Sequence, residues 1–396
     1  MSIVNIASSE PVESGQRIGS LEAYRGLAAL GVVIFHTYQH SRIGEIYVFQ
    51  NTPFHLLLRN LDSGVSIFFA LSGFLIFLPF ARAAIEQKTP QSARGFLIRR
   101  AIRIVPLYYV AILIVWSLRY SGGLEQWQDL FRHLTFTQIF DSAHIFWTIG
   151  PAWSLAVEVW FYMGIALAAP LLQYACSQLP QPRGRALLLG GVIVSLSGLS
   201  LFYKAWVFYG AHLPETNYAV YYGLLAKVDV FAFGMFLAVL AVMIGKSSRL
   251  KGLAPVALRL LAFGLIVITF ILREGNAGID LFFYTIIGLA SVLFLAATVL
   301  GDRAGLWERI LSNPILTFLG VISYSVYIWH EPLLIEMGKS SLFPFDSPVF
   351  FLISTTVLLL ITVGVGALSY YAIEYPTMYI RHLFTREGQL TSPHSK

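Results

Sequence analysis

Apolar residues run along this chain in long blocks separated by short polar breaks. This is neither the alternation of a half-buried strand nor the one-sided stripe of a surface helix. About ten blocks reach the roughly 17–25 residues needed to cross a bilayer as an α-helix. They lie at about 18–38, 62–81, 104–120, 152–175, 186–204, 222–244, 255–272, 279–300, 313–332 and 349–373. The pattern predicts an all-α, polytopic membrane protein with one transmembrane domain over 18–379. Residues 124–148 are too polar to span, and Trp127, Phe131, Phe136, Phe146 and Trp147 give them the character of a helix in the membrane interface. Residues 1–17 are polar and lack the apolar core of a signal peptide, so the first block is expected to remain as an anchor. No internal repeat or linker between separate domains is visible.

Composition agrees: of 396 residues 57% are hydrophobic and only 12% are charged, against about 25% charged in a soluble domain. The net charge of +6 could suggest nucleic acid, but topology accounts for the cations better. With a cytoplasmic N-terminus, most of the 27 basic residues fall on the inner side. The outer side keeps Arg42, Arg59, Arg119, Arg132, Lys204, Lys227, Arg273 and Lys339. Both termini are therefore expected in the cytoplasm, 1–17 and 380–396 as polar end segments, and the protein in the cell (inner) membrane as a multi-pass protein among lipids. No nucleic-acid partner is expected. The single cysteine, Cys176, excludes an intramolecular disulfide framework and a Cys-cluster metal site.

Ionisable residues inside spans are costly and usually face a cavity or a partner. In the first span Glu22, Arg25 and His36 share a stripe, with Arg25 and His36 about 20° apart around the helix. Arg25 would lie roughly 10 Å and His36 roughly 27 Å from the inner end. Ser154 and Glu158 face the same way at i, i+4 on the fourth span, and Glu158 lies roughly 10 Å from the outer end, at a depth comparable with His36. The ninth span is expected to end in Ser323-Tyr324-Ser325-Val326-Tyr327-Ile328-Trp329-His330-Glu331-Pro332, with Ser323, Tyr327 and His330 forming another stripe. Plainer readings exist for each: Arg25 snorkelling inward, His36 and His330 ending helices, Glu158 locking two helices. The agreement in depth of His36, Glu158 and His330 favours a shared site, and a histidine beside a carboxylate is the usual equipment for activating a hydroxyl.

Arg94, Arg99, Arg100 and Arg103 precede the third span on the inner side. Guanidinium groups there suit phosphate recognition, although simple topological anchoring would also place them there. Lys227 and Asp229 are i, i+2 and do not face one another. Their role is open. No metal motif, GxSxG or P-loop occurs. Gly64, Ser66, Ser72 and Gly73 read as close-packing residues.

These segments together resemble the acyltransferase 3 family of membrane-bound O-acyltransferases. The matching runs are LEAYRGLAALGVVIFH (21–36), GVSIFFALSGFLI (64–76), RRAIRIVPLYY (99–109), PAWSLAVEVWFY (151–162), FAFGMFLA (231–238), SYSVYIWHEPL (323–333) and YYAIEYP (370–376). Two departures stand out: Glu22-Ala23 replaces a frequent Asp-Gly, and Ser66 stands where an acid is common. The chain also ends soon after the tenth span, without the extracytoplasmic hydrolase-like domain of some relatives.

The resemblance implies transfer of a short acyl group from acyl-CoA, with acetyl-CoA the expected donor, to a hydroxyl of a glycan, lipid-linked sugar or macrolide. It makes His36 the essential histidine, Arg25 the first-helix arginine, and Arg100 and Arg103 the family's basic motif. On this reading Arg99, Arg100 and Arg103 hold the CoA phosphates with Arg25 deeper, and His36 oriented by Glu158 deprotonates the acceptor. Ser154 would help bind substrate, and Trp153, Tyr327 and His330 would be donors to the developing oxyanion. No tightly bound cofactor or metal is expected. Direct transfer and an acyl-histidine intermediate both stay open. The rival reading is a transporter moving an acyl group or glycan without chemistry, against which stands the lack of an inverted repeat.

Overall fold

The computed structural model describes residues 12–379 except 45, 90, 121, 246–249, 302–304 and 341, with side chains from residue 19 onward. Residues 1–11 and 380–396, and the loop cations Lys246, Arg249 and Arg303, lie outside the described residues. The elements are α1 (Val12–His40), α2 (Pro53–Leu58), α3 (Gly64–Glu86), α4 (Ala93–Arg119), α5 (Leu124–Leu134), α6 (Ala152–Ser177), α7 (Pro182–Ala205), α8 (Tyr218–Tyr222), α9 (Leu224–Ile244), α10 (Ala254–Arg273), α11 (Ala277–Val299), α12 (Leu306–Leu311), α13 (Pro314–Val321), α14 (Ser323–Gly338) and α15 (Pro348–Ser369). The protein is an all-α, polytopic membrane protein.

Among the described residues eight helices are long and apolar enough to cross a membrane, or nine if the bent pair α13–α14 forms one span. The expected total of about ten is reached only by adding α1, a 29-residue helix whose sequence carries Glu22, Arg25 and His36. Helix starts follow local chemistry. Ser92, Asn276, Asn313 and Ser347 accept backbone N–H bonds as N-caps, and Pro182, Pro314 and Pro348 occupy first-turn positions where no N–H is missed.

Three boundaries differ from expectation. The first helix begins at Val12, inside the segment read as a polar leader. The arginines expected ahead of the third span belong to one continuous helix, α4. The ninth span is two helices meeting at 70°, and α14 continues past Pro332 to Gly338.

Glycines set the helix crossings. A Cβ on Gly73 would stand 2.1 Å from the Phe231 carbonyl oxygen, and one on Gly234 would stand 2.1 Å from that of Ala70. Only hydrogen at both positions lets α3 and α9 touch backbone to backbone. At the α1–α13 crossing, a Cβ on Gly320 would lie 1.9 Å from the Glu22 carbonyl oxygen. The outward surface is apolar: Leu118, Leu167, Leu187 and Leu360 are exposed, as a lipid-facing surface requires. Helix α5 turns Trp127 and Phe131 outward while burying Asp129 and His133, in keeping with the interfacial helix expected from its sequence.

Candidate active site

A cavity of about 290 Å³ opens between α1, α3, α4, α6 and α14. Periodicity within α1 sends Glu22 and Arg25 to its wall; the turn of α4 containing Arg100 and Arg103 faces them, and Ser154, Glu158 and Tyr162 complete it from α6. At one end Arg25 pairs with Glu22 at 3.5 Å. Arg100 lies 5.7 Å from the Tyr162 ring centroid, a cation–π distance. Glu374 is held by a hydrogen bond from the Ser325 hydroxyl, and it acts electrostatically on both Arg25 and Arg103. Three guanidinium groups thus share the cavity with three carboxylates nearby, Glu22, Glu158 and Glu374.

Neither His36 nor His330 is in the cavity wall; both are reached from it through Tyr327. The hydroxyls of Ser154 and Tyr327 are 2.7 Å apart. One turn further along α14, the Tyr327 carbonyl accepts from His330 Nδ1 at 2.5 Å. His330 Nε2 then lies 3.1 Å from His36 Nδ1, which also reaches the Val32 carbonyl at 3.0 Å. Carbonyl oxygens only accept, so both Nδ1 atoms carry the protons. His330 Nε2 is therefore the acceptor between the two rings, and the lone pair of His36 sits on Nε2. His330 is fully buried, whereas His36 is half-buried.

Several expected placements change. Among the described residues His36 and Glu158 form no pair: Glu158 accepts a hydrogen bond from Ser72, and another from the Tyr162 hydroxyl. His330, not Glu158, contacts the His36 imidazole. Of the three side chains expected at one depth, His36 and His330 meet, whereas Glu158 takes its partners from α3 and from its own helix. Ser72, read as a packing residue, is a polar ligand of Glu158, while Gly64 and Gly73 do pack closely. Trp153 is not in the cavity wall; it is turned about 100° around α6 from Ser154, against Tyr222 and against Phe69, which does line the cavity. Arg99 is also off the wall and donates to Gln91, and Arg94 is exposed. Arg25, Arg100, Arg103, Ser154, Glu158 and Tyr327 are brought together as expected.

Sequence reasoning passed over Tyr162 and Glu374. Both lay in the matched runs PAWSLAVEVWFY and YYAIEYP, and Tyr162 follows Glu158 at i+4, a signal available in the spacing alone. No group of three or more His, Cys, Asp or Glu residues able to hold a metal is present among the described residues.

The family model described as an acyltransferase domain matches residues 18–373. The chain belongs to the acyltransferase 3 family. It is 26% identical over 346 residues to the peptidoglycan O-acetyltransferase of Listeria monocytogenes, a match covering 81% of this chain and 50% of that one. It is 24% identical over 339 residues to a putative O-acetyltransferase of Staphylococcus aureus, covering 79% and 50%. A putative membrane-bound transacylase of Komagataeibacter xylinus is 26% identical over 334 residues, covering 79% and 72%. The chain spans about half the length of the two O-acetyltransferases. No solved structure matches it.

Proposed function

We propose that this acyltransferase 3 protein is an integral-membrane O-acyltransferase that moves a short acyl group, acetyl in the simplest case, from acyl-CoA to a hydroxyl of a glycan or glycosylated small molecule. One observation supports the reading: the cavity that holds Arg25, Arg100 and Arg103 also holds Ser154 and Tyr327, and hydrogen bonds run from Tyr327 through His330 to His36 behind its wall. Arginines at one end suit the CoA phosphates, since each guanidinium offers a planar pair of donors. Along the cavity the Glu158 carboxylate offers an acceptor to the amide N–H groups of the pantetheine arm. At the far end, His36 Nε2 takes the acceptor's hydroxyl proton as the oxygen attacks the thioester carbonyl. The Ser154 and Tyr327 hydroxyls, bonded to each other and to the Pro151 carbonyl, would supply a donor for the oxyanion when one of them turns from that carbonyl to the substrate. The C–S bond then breaks, and the imidazolium returns its proton to the CoA thiolate. His330 Nε2 positions His36 by accepting from its Nδ1–H, so that the basic nitrogen faces the reaction.

Cytoplasmic entry of the donor follows from placing the arginine end inside, by the excess of Lys and Arg there. The name of one relative, a peptidoglycan O-acetyltransferase, supports a polysaccharide acceptor, and that of another, a transacylase, supports acyl transfer. Purified protein offered acyl-CoA and a glycan acceptor should release free thiol in step with acyl ester. His36→Ala, folded by size-exclusion and thermal unfolding, should lose about 10²–10⁴-fold in rate. Undiminished transfer by that variant would remove the assignment of His36. A protein that only transports would release no thiol at all.

A further inference from the structure

The structure contains a second cavity, of about 300 Å³, between the ends of α7 and α10 and the starts of α9 and α11. Lys227, which sequence reasoning left without a role, reaches into it and is only 4% exposed. Its ammonium lies 3.6 Å from the ring centroid of Tyr284, 5.0 Å from that of Tyr222 and 5.9 Å from that of Trp153. These π faces are its partners; among the described residues no carboxylate or hydrogen-bond acceptor reaches Nζ.

The other charges around this cavity are already engaged or at its rim. Lys204 donates to Asp229 at 2.7 Å and to Thr285 at 2.6 Å. Arg273 bonds Asp62 and Asp280. Glu215 is exposed. The carboxylates of Asp229, Asp62 and Asp280 act on Lys227 only at longer range and are spent on Lys204 and Arg273, so its amino group is left without direct hydrogen bonds. Cation–π attraction offsets part of its desolvation but supplies no acceptor. An anion entering the cavity would supply one. The remaining wall is rich in tyrosine, including Tyr203, Tyr218 and Tyr221. Such faces suit a sugar, with rings against its C–H surface and hydroxyls for its oxygens.

We propose that this second cavity binds a sugar bearing a carboxylate or phosphate, with the anionic group on Lys227 and the ring against the tyrosines. Trp153 closes the cage from α6, while the adjacent Ser154 lines the acyl-transfer cavity and bonds Tyr327. A sugar held at Lys227 thus lies one helix wall from the proposed chemistry. That this sugar is the acyl acceptor rests on the function proposed above; that it binds does not.

The test is calorimetry on the full chain in phosphatidylcholine nanodiscs, without acyl donor, so the result is independent of acyl transfer. The probes are glucuronate, glucose 1-phosphate, glucose and inorganic phosphate. Glucuronate or glucose 1-phosphate should bind about tenfold tighter than glucose, as one charge-assisted hydrogen bond predicts. Lys227→Met should remove that difference, and Lys227→Arg should retain it. If Lys227→Met fails to fold, Lys227→Arg combined with the glucose comparison still decides. Equal binding of glucose and glucuronate overturns the proposal, as does a folded Lys227→Met protein that still discriminates. Inorganic phosphate binding as tightly as glucose 1-phosphate would reduce the cavity to a bare anion site. Loss of glucuronate binding when phosphatidylglycerol is added to the nanodiscs would assign it to a lipid headgroup.

Discussion

His330 shows how a single proton assignment changes the reading of a site. Its Nδ1 is committed to the Tyr327 carbonyl at 2.5 Å, so its Nε2 can only accept, and the group it faces is His36 Nδ1 at 3.1 Å. The ring acts through His36 and not on substrate. We expect His330→Ala to slow turnover by up to about 100-fold through misplacement of the base, with KM for acyl-CoA little changed. His330→Gln can present its side-chain oxygen as an acceptor, and should restore part of the rate where alanine does not. Steady-state kinetics on both variants check this. The arginines should behave in the opposite sense. Arg100→Ala and Arg103→Ala are expected to raise KM for acyl-CoA about tenfold, the loss of one charge-assisted contact, with kcat nearly kept. Arg99→Ala, whose guanidinium donates to Gln91, should raise it less. The Arg25–His36 stripe was legible in the sequence because both residues sit on one helix, where the period determines the angle. The partner of Glu158 was not, because Ser72 is 86 positions away and meets it only where α3 crosses α6.

Among the elements, the α1–α13 contact shows most directly what holds the site. The Glu22 carbonyl lies against Gly320, and Gly26 against the Gly320 amide. Any side chain at 320 must push α1 away, and with it Glu22 and Arg25. Gly320→Val should destabilise the protein by about 1–3 kcal/mol or more, as overpacking does, seen as a lower unfolding temperature in detergent. Gly264 of α10 has open space around its would-be Cβ. Gly264→Ala should therefore be neutral or stabilising by up to about 1 kcal/mol. Element positions were readable because a span is a local property of composition and length. The 70° break between α13 and α14 was not. Gly320 stands just before the break but does not fix an angle; in the structure α13 packs on α1, while α14 packs on both α1 and α15.

For the whole molecule, the two ends of the bundle are chemically unlike. One carries Arg25, Arg100 and Arg103 around the cavity; the other carries the histidine pair and the Lys227 cavity. The proposed direction of acyl flow depends on which end faces the cytoplasm, and the expectation from charge asymmetry is the arginine end. With Cys176 replaced by serine, a single cysteine at the exposed Lys88 should react with a membrane-impermeant maleimide only after the cells are opened. One at the exposed Glu125 should react in intact cells. The reverse pattern would require the donor to arrive from the other side.

The sequence alone determined that this chain spans a membrane many times, which residues share a face of α1, α6 and α14, and to which family it is similar. All three depend on local periodicity, hydropathy or ordered motifs, which need no knowledge of neighbours in space. The tertiary structure decided that His36 meets His330 and not Glu158, and that Glu158 is held by Ser72. It also placed Trp153 against Lys227, outside the wall of the first cavity. Those outcomes depend on how helices cross, and crossings are set by where glycines let backbones touch. A depth along one helix axis says nothing of which neighbouring helix a side chain meets, and His36 and Glu158 meet different ones.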